Sequence, residues 1–211
     1  MDNNTLKFRL SGLGQMLMHC GQTADPLNHF AKAMKKASGK RGKTDEDLAV
    51  LANLEWWAGL YTNVPGVIAE DFSVSIDPKA RLIIPAHVLD SAIREGARKN
   101  KMGKAASAGV IVEGDGLFSH GGASDLNKLS LDPAFTARHA VKVGTAKVMR
   151  TRPIFGNWSV TFSLVFDPGI LDESTIKTAL ESAGRLVGIG DWRPGAPRGG
   201  SFGRFSVEQV K

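Results

Sequence analysis

WSVTFSLVF, residues 158–166, puts Trp158, Val160, Phe162, Leu164 and Phe166 on one side of an extended chain and Ser159, Thr161 and Ser163 on the other. Alternation with a period of two is the pattern of a strand that buries one face. Downstream, Asp172 and Glu173 open a helix carrying Ile176, Ala179, Leu180 and Ala183 on one face, and Arg204, Phe205, Ser206 and Val207 resume alternation in a terminal strand. Upstream, Val141 to Met149 reads as a strand whose apolar phase switches near Gly144, as at a bulge or bend. Pro153, Gly156 and Asn157 supply a turn, so this strand and 158–166 are expected to form an antiparallel hairpin.

Leu6, Phe8 and Leu10 alternate with Lys7, Arg9 and Ser11 in a first strand. Arg81 to Ile84 is a short strand stub broken by Pro85, after which Val88, Leu89, Ala92, Ile93 and Ala97 trace one helical face and Arg94, Arg98 and Lys99 the other. Strand, helix, strand, strand, helix, strand is the order that results. It predicts an α+β fold of ferredoxin-like (RRM-like) βαββαβ topology, an antiparallel sheet covered on one face by two helices. Between the first strand and the stub, residues 25–61 form a helical insertion, with Asp25-Pro26 entering one helix and Thr44, followed three residues on by Asp47, capping a second. Trp56 and Trp57 lie on that second helix about 100 degrees apart, so one of the two is expected in the core. Residues 101–133 are rich in Gly, Ser and Asp, with only Val110 to Val112 strand-like, and read as a flexible excursion. The whole chain, 1–211, is expected to be one domain.

Composition fits that picture. Hydrophobic residues make up 42% and charged residues 23% of 211, which excludes a disordered tail, a collagen-like fibre and a coiled coil. No apolar run is long enough to span a bilayer, and MDNNTLKFRL has no signal-peptide core, so the expected location is the cytoplasm, with no membrane partner. Cys20 is the sole cysteine, so there is neither an internal disulfide nor a multi-cysteine zinc site; it reads as a small buried hydrophobe. No metal or other cofactor is expected.

Charge points to a polyanion. The chain carries 27 Lys+Arg against 21 Asp+Glu, a net +6, with a pI near 9.5. Between Pro26 and Lys43 stand six cations (Lys32, Lys35, Lys36, Lys40, Arg41, Lys43) and no acid, and Arg138 to Arg152 holds five more, again without an acid. Asp45 to Asp77 is the reverse, with seven acids and no Lys or Arg. Acid-free basic segments in one chain make nucleic acid the leading partner class. Residues 184–203 join the last helix to the last strand with seven glycines, among Arg185, Arg193, Arg198 and Arg204 and beside Trp192. Glycine lets backbone amides approach a phosphate, and an indole stacks on a base; equally, the glycines could serve only to let a long loop turn.

The run Gly188-Ile-Gly190, the Gly-rich loop, and Gly203-Arg204-Phe205-Ser206-Val207 resemble the glycine-rich loop of the RAMP superfamily, the RNA-binding proteins of CRISPR effector complexes. Leu82-Ile-Ile-Pro85 leading into the helix from Ala86 to Lys99 resembles the strand stub, proline turn and first helix of that family. A single frame with one C-terminal Gly-rich loop is most similar to the backbone subunit, which polymerises along guide RNA in antiviral defence; stand-alone phage proteins look similar too. The resemblance implies a sequence-tolerant, non-catalytic binder of single-stranded RNA, ahead of single-stranded DNA, that forms a homo-oligomeric filament and meets other effector subunits. It implies nucleic-acid contacts from Arg94, Arg98, Lys99, Lys101 and Lys104, from Lys147, Arg150 and Arg152, and from Gly188, Gly190, Trp192, Arg193, Arg198 and Arg204 of the loop. Two alternatives stay open: a metal-independent endoribonuclease of the same superfamily using His120 or His139, and a phage-encoded single-strand binder or decoy of the host complex. One motif is set aside. ASGKRGKT, residues 37–44, fits a permissive phosphate-binding-loop pattern, but such a loop follows a buried strand and this one follows a Lys-rich amphipathic helix.

Overall fold

The computed structural model describes residues 4–210. In chain order the first half contains β1 (Thr5–Gly12), β2 (Met16–Leu17), α1 (His29–Ser38), α2 (Asp45–Ala58), β3 (Val67–Ile68), β4 (Val74–Ser75), β5 (Ile83–Ile84) and α3 (Ala86–Lys99). The second half contains α4 (Gly103–Gly109), β6 (Val110–His120), α5 (Leu126–Leu129), β7 (Thr136–Val143), β8 (Ala146–Phe155), β9 (Trp158–Phe166), α6 (Glu173–Leu186) and β10 (Phe205–Val210). The fold is α+β with antiparallel sheets. These elements gather into two compact units, one from residues up to 17, 82–121 and 155 onward, the other from 18–81 and 122–154.

The first unit is built on a five-stranded sheet in the order β10-β1-β9-β6-β5, every neighbouring pair antiparallel. β9, the strand of strict alternation, is central. Leu6 lies opposite Leu164, Phe8 opposite Phe162 and Leu10 opposite Val160, and all six side chains are buried. Burying each is worth about 1.5–3 kcal/mol. That face lies under the helices: a Cβ at Gly116 of β6 would meet Val160 and, at 2.9 Å, the Leu89 side chain of α3. Gly96 brings α3 and α6 together, since a Cβ there would stand 2.1 Å from the Ala179 carbonyl. Asp172 caps α6, its carboxylate accepting from the Thr175 amide at 2.7 Å. The other face of the sheet carries Lys7, Arg9, Ser119 and Ser206, all exposed.

Two expectations are corrected. Residues 101–120 are no flexible excursion but α4 and β6, an eleven-residue strand beside β9. Gly114, at φ +70, and a register shift between Glu113 and Leu117 interrupt its alternation, so it reads in the sequence as a loop. The strand placed at 141–149 is instead a hairpin, β7 paired with β8, whose turn is Gly144-Thr145, with φ +60 at Gly144. It lies in the second unit apart from Phe155, and β9 pairs with β1 and β6 rather than with it. The insertion after β1 and the segment 122–154 together form a compact unit of their own.

In that second unit Thr44 caps α2 with a full capping box, its hydroxyl accepting from the Asp47 amide at 3.3 Å while the Asp47 carboxylate accepts from the Thr44 amide at 3.1 Å. Trp56 and Trp57 are both buried, against the expectation of one, and stack edge to face at 5.2 Å. Trp56 Nε1 donates to the Phe135 carbonyl at 2.8 Å. A Cβ at Gly59 would meet the Pro153 ring at 2.7 Å, so the end of α2 sits directly on β8. Among the described residues no helix is long and apolar enough to cross a membrane.

Candidate nucleic-acid interface

α3 ends at Lys99 and α4 begins at Gly103, so only a short turn separates two helices, and Lys101 makes that turn at φ +63. The turn brings cations from both helices to one place. Arg98, Lys101 and Lys104, with Gly103, Ser107 and Ala108, line an open cleft of about 540 Å3. All three cations are exposed, and a Cβ at Gly103 would strike the Arg98 side chain at 2.3 Å, so this glycine lets the arginine lie across the turn. Arg98 is ion-paired through Nη1 with Glu95 one turn back. Lys99 is exposed on the last turn of α3, whereas Arg94 lies further back, with Nη2 3.4 Å from the Asp90 carboxylate.

The Gly-rich loop belongs to the same unit. Asn100 Nδ2 donates to Ser182 Oγ of α6 at 3.0 Å, and Gly188, where the loop starts, is six residues beyond Ser182, about 9 Å of helical rise. Gly188 is the stop of α6: at φ +70 its amide donates to the Ala183 carbonyl at 2.8 Å. Gly190, at φ +85, lets the chain pass the Leu17 carbonyl, which a Cβ would approach to 2.4 Å. The amides of Ile189, Asp191, Gly195, Gly200 and Gly203 donate to carbonyls of this same unit at 2.8–3.2 Å. These glycines therefore serve a loop folded closely on itself and on the turn after β1, and the amides named are spent on its own carbonyls. Of its side chains, Arg193 is half-buried, Arg198 and Arg204 are exposed, and Trp192 stacks on Phe202 at 6.3 Å.

Lys147, Arg150 and Arg152 are on β8 in the second unit, as are His139 on β7 and Arg138 beside it. The side chains of Lys142 and Val143 lie outside the described residues. Lys147 is exposed near the hairpin turn. Arg150 is committed to a partner: its Nη1 lies 2.6 Å from Oε1 of the buried Glu55, whose Oε2 accepts from the Thr151 amide at 2.8 Å. Arg152 Nη1 donates to the Thr151 carbonyl at 3.0 Å. Around these residues the unit has two adjoining clefts of about 410 and 330 Å3, which share Met34, Glu55 and Arg150. Lys35, Lys43 and Arg138 rim the larger one. In the sequence these three are visible only as members of charge blocks, since nothing local says that 26–43 and 138–152 meet.

The remaining candidates fall elsewhere. His120 is the last residue of β6, beside Phe118 and 5.4 Å from the Phe155 ring, and burial holds its pKa below the ordinary histidine value. Cys20 has its thiol pKa raised by burial, which disfavours the reactive thiolate. Burial likewise pushes the Tyr61 phenol up to about 12. Residues 37–44 are the end of α1 and its link to α2, with Lys40 Nζ 2.8 Å from Asp47, so the segment works as a helix-to-helix turn. Among the described residues no group of three His, Cys, Asp or Glu side chains is arranged to hold a metal ion. The sequence matches no protein-family model and no curated protein.

Proposed function

We propose that this is a cytoplasmic single-stranded RNA-binding protein whose first unit is a ferredoxin-like domain of the RAMP type. On this reading copies assemble side by side along the strand, as do the backbone subunits of CRISPR effector complexes, and hold it without cleaving it. The observation that carries the reading is the cleft of Arg98, Lys101 and Lys104, three exposed cations gathered by one helix-turn-helix beside a serine. Phosphates neutralised there release counterions, which gives sequence-tolerant and salt-dependent binding. The chain order β1-α3-β6-β9-α6-β10 supports the domain assignment. So does the sheet order, which places these four strands fourth, first, third, second. The compact Gly-rich loop, which follows α6 and presents Arg198 and Arg204, supports the resemblance to the family.

Fluorescence anisotropy with labelled oligo(U) RNA tests the proposal. The parent protein is expected to bind and to leave the RNA intact on incubation, and Arg98→Glu/Lys101→Glu/Lys104→Glu is expected to lose at least tenfold in affinity. Unchanged affinity in a folded triple variant, or cleavage of the RNA by the parent, overturns it.

A further inference from the structure

The second unit carries a surface that RNA binding does not account for. α1, α2 and the β7/β8 hairpin enclose the two adjoining clefts, which follow α2 from Leu48 to Gly59. That stretch of helix rises about 16 Å, the length of about three turns. The larger cleft presents Met34, Leu48, Leu51, Ala52, Val148 and Met149, interleaved with polar and charged side chains. Leu48 and Met149 leave 46% and 51% of their surface in water, high values for large apolar side chains. Lys35, Lys43 and Arg138 stand at the edge, all exposed, while Glu55, the one carboxylate in the lining among the described residues, is already bound by Arg150 and the Thr151 amide. Exposed aliphatic side chains and methionines under a cationic rim fit a segment that is apolar on one face and acidic on the other.

We propose that this groove is a docking site for an acidic, amphipathic helical segment of a partner protein. Such a segment lays leucine-type side chains at positions i, i+3, i+4 and i+7 on the methionine and leucine floor, and sets its Asp and Glu against Lys35, Lys43 and Arg138. The side chains of Met34 and Met149 adapt to the shape of whatever apolar residues arrive.

The test uses the full chain and a fluorescein-labelled synthetic peptide with leucines at that spacing and Glu elsewhere, followed by anisotropy. A control peptide keeps the leucines and replaces every Glu by Lys. The acidic peptide is expected to bind and the basic one not to. Lys35→Glu/Arg138→Glu, at the rim, and Met149→Asp, on the floor, are each expected to weaken the acidic peptide at least tenfold with far-UV circular dichroism unchanged. Arg98→Glu/Lys101→Glu/Lys104→Glu is expected to leave peptide binding as it was, which keeps this proposal separate from the RNA reading. No binding of the acidic peptide, or equal binding by the rim and floor variants, overturns it. Displacement of the peptide by oligo(U), with RNA affinity lost in the same rim variant, overturns it in favour of a nucleic-acid groove.

Discussion

Glu55 shows how one side chain can tie a helix to a hairpin. It is 9% exposed, and its two oxygens are divided between the Arg150 guanidinium and the Thr151 amide. A carboxylate that far from water depends on both donors. Arg150→Ala is therefore expected to cost about 2–3 kcal/mol, below the 3–5 of a fully buried pair because Arg150 keeps some contact with solvent; urea denaturation measures it. Glu55→Gln, which keeps the shape and an acceptor, is expected to cost less. His120 allows a test by pH. Burial lowers its pKa in the folded protein from the 6.5 of a free imidazole, so the unfolded chain takes up a proton first as pH falls. Its contribution is thus present above about pH 6.5 and lost progressively below it. His120→Phe, which leaves a ring beside Phe155, is expected to show a smaller drop in melting temperature between pH 7.5 and pH 5 than the parent. An equal drop in both proteins assigns the pH dependence to other groups.

At the scale of elements, α3 and α6 meet through Gly96 and Ala179. Gly96→Ala puts a methyl 2.1 Å from a backbone carbonyl, so the two helices must separate, and a loss of more than about 2 kcal/mol is expected on denaturant unfolding. Gly42→Ala makes the contrast: φ is +68, but nothing lies within 4 Å, and only the backbone cost of about 1 kcal/mol applies. Elements that obey a single period were legible in the sequence, β9 by its alternation, α6 by its face and α2 by the Thr44 cap. β6 was not, because Gly114-Asp115-Gly116 breaks the alternation inside the strand and looks like a loop. The β7/β8 hairpin was hidden for the opposite reason: its two-residue turn at Gly144-Thr145 is so short that two strands read as one with a phase error. The site followed the same logic. Arg98, Lys101 and Lys104 were legible as a group because they fall within one short stretch of helix and turn, residues 98–104, whereas the meeting of Lys35 with Arg138 depends on a pairing of distant segments that no local pattern records.

For the whole molecule, RNA binding is expected to weaken steeply with salt. Each phosphate contact to a single strand contributes about −0.7 to the slope of log affinity against log salt, so loss of all three cleft cations should flatten it by about 2. A sizing column run before and after ribonuclease, with absorbance read at 260 and 280 nm, reports whether purified protein carries RNA in an assembly; a nuclease-insensitive monomer free of RNA counts against the filament. The route of the chain through its two units has a further result. Every segment of the second unit, 18–81 and 122–154, precedes β9, so all of that unit is synthesised before the central strand of the first sheet. β1 meanwhile waits. Its Ser11 carbonyl accepts a hydrogen bond from the Ser206 hydroxyl, 195 positions later in translation, so the pairing of β1 with β10 waits until β10 has been made.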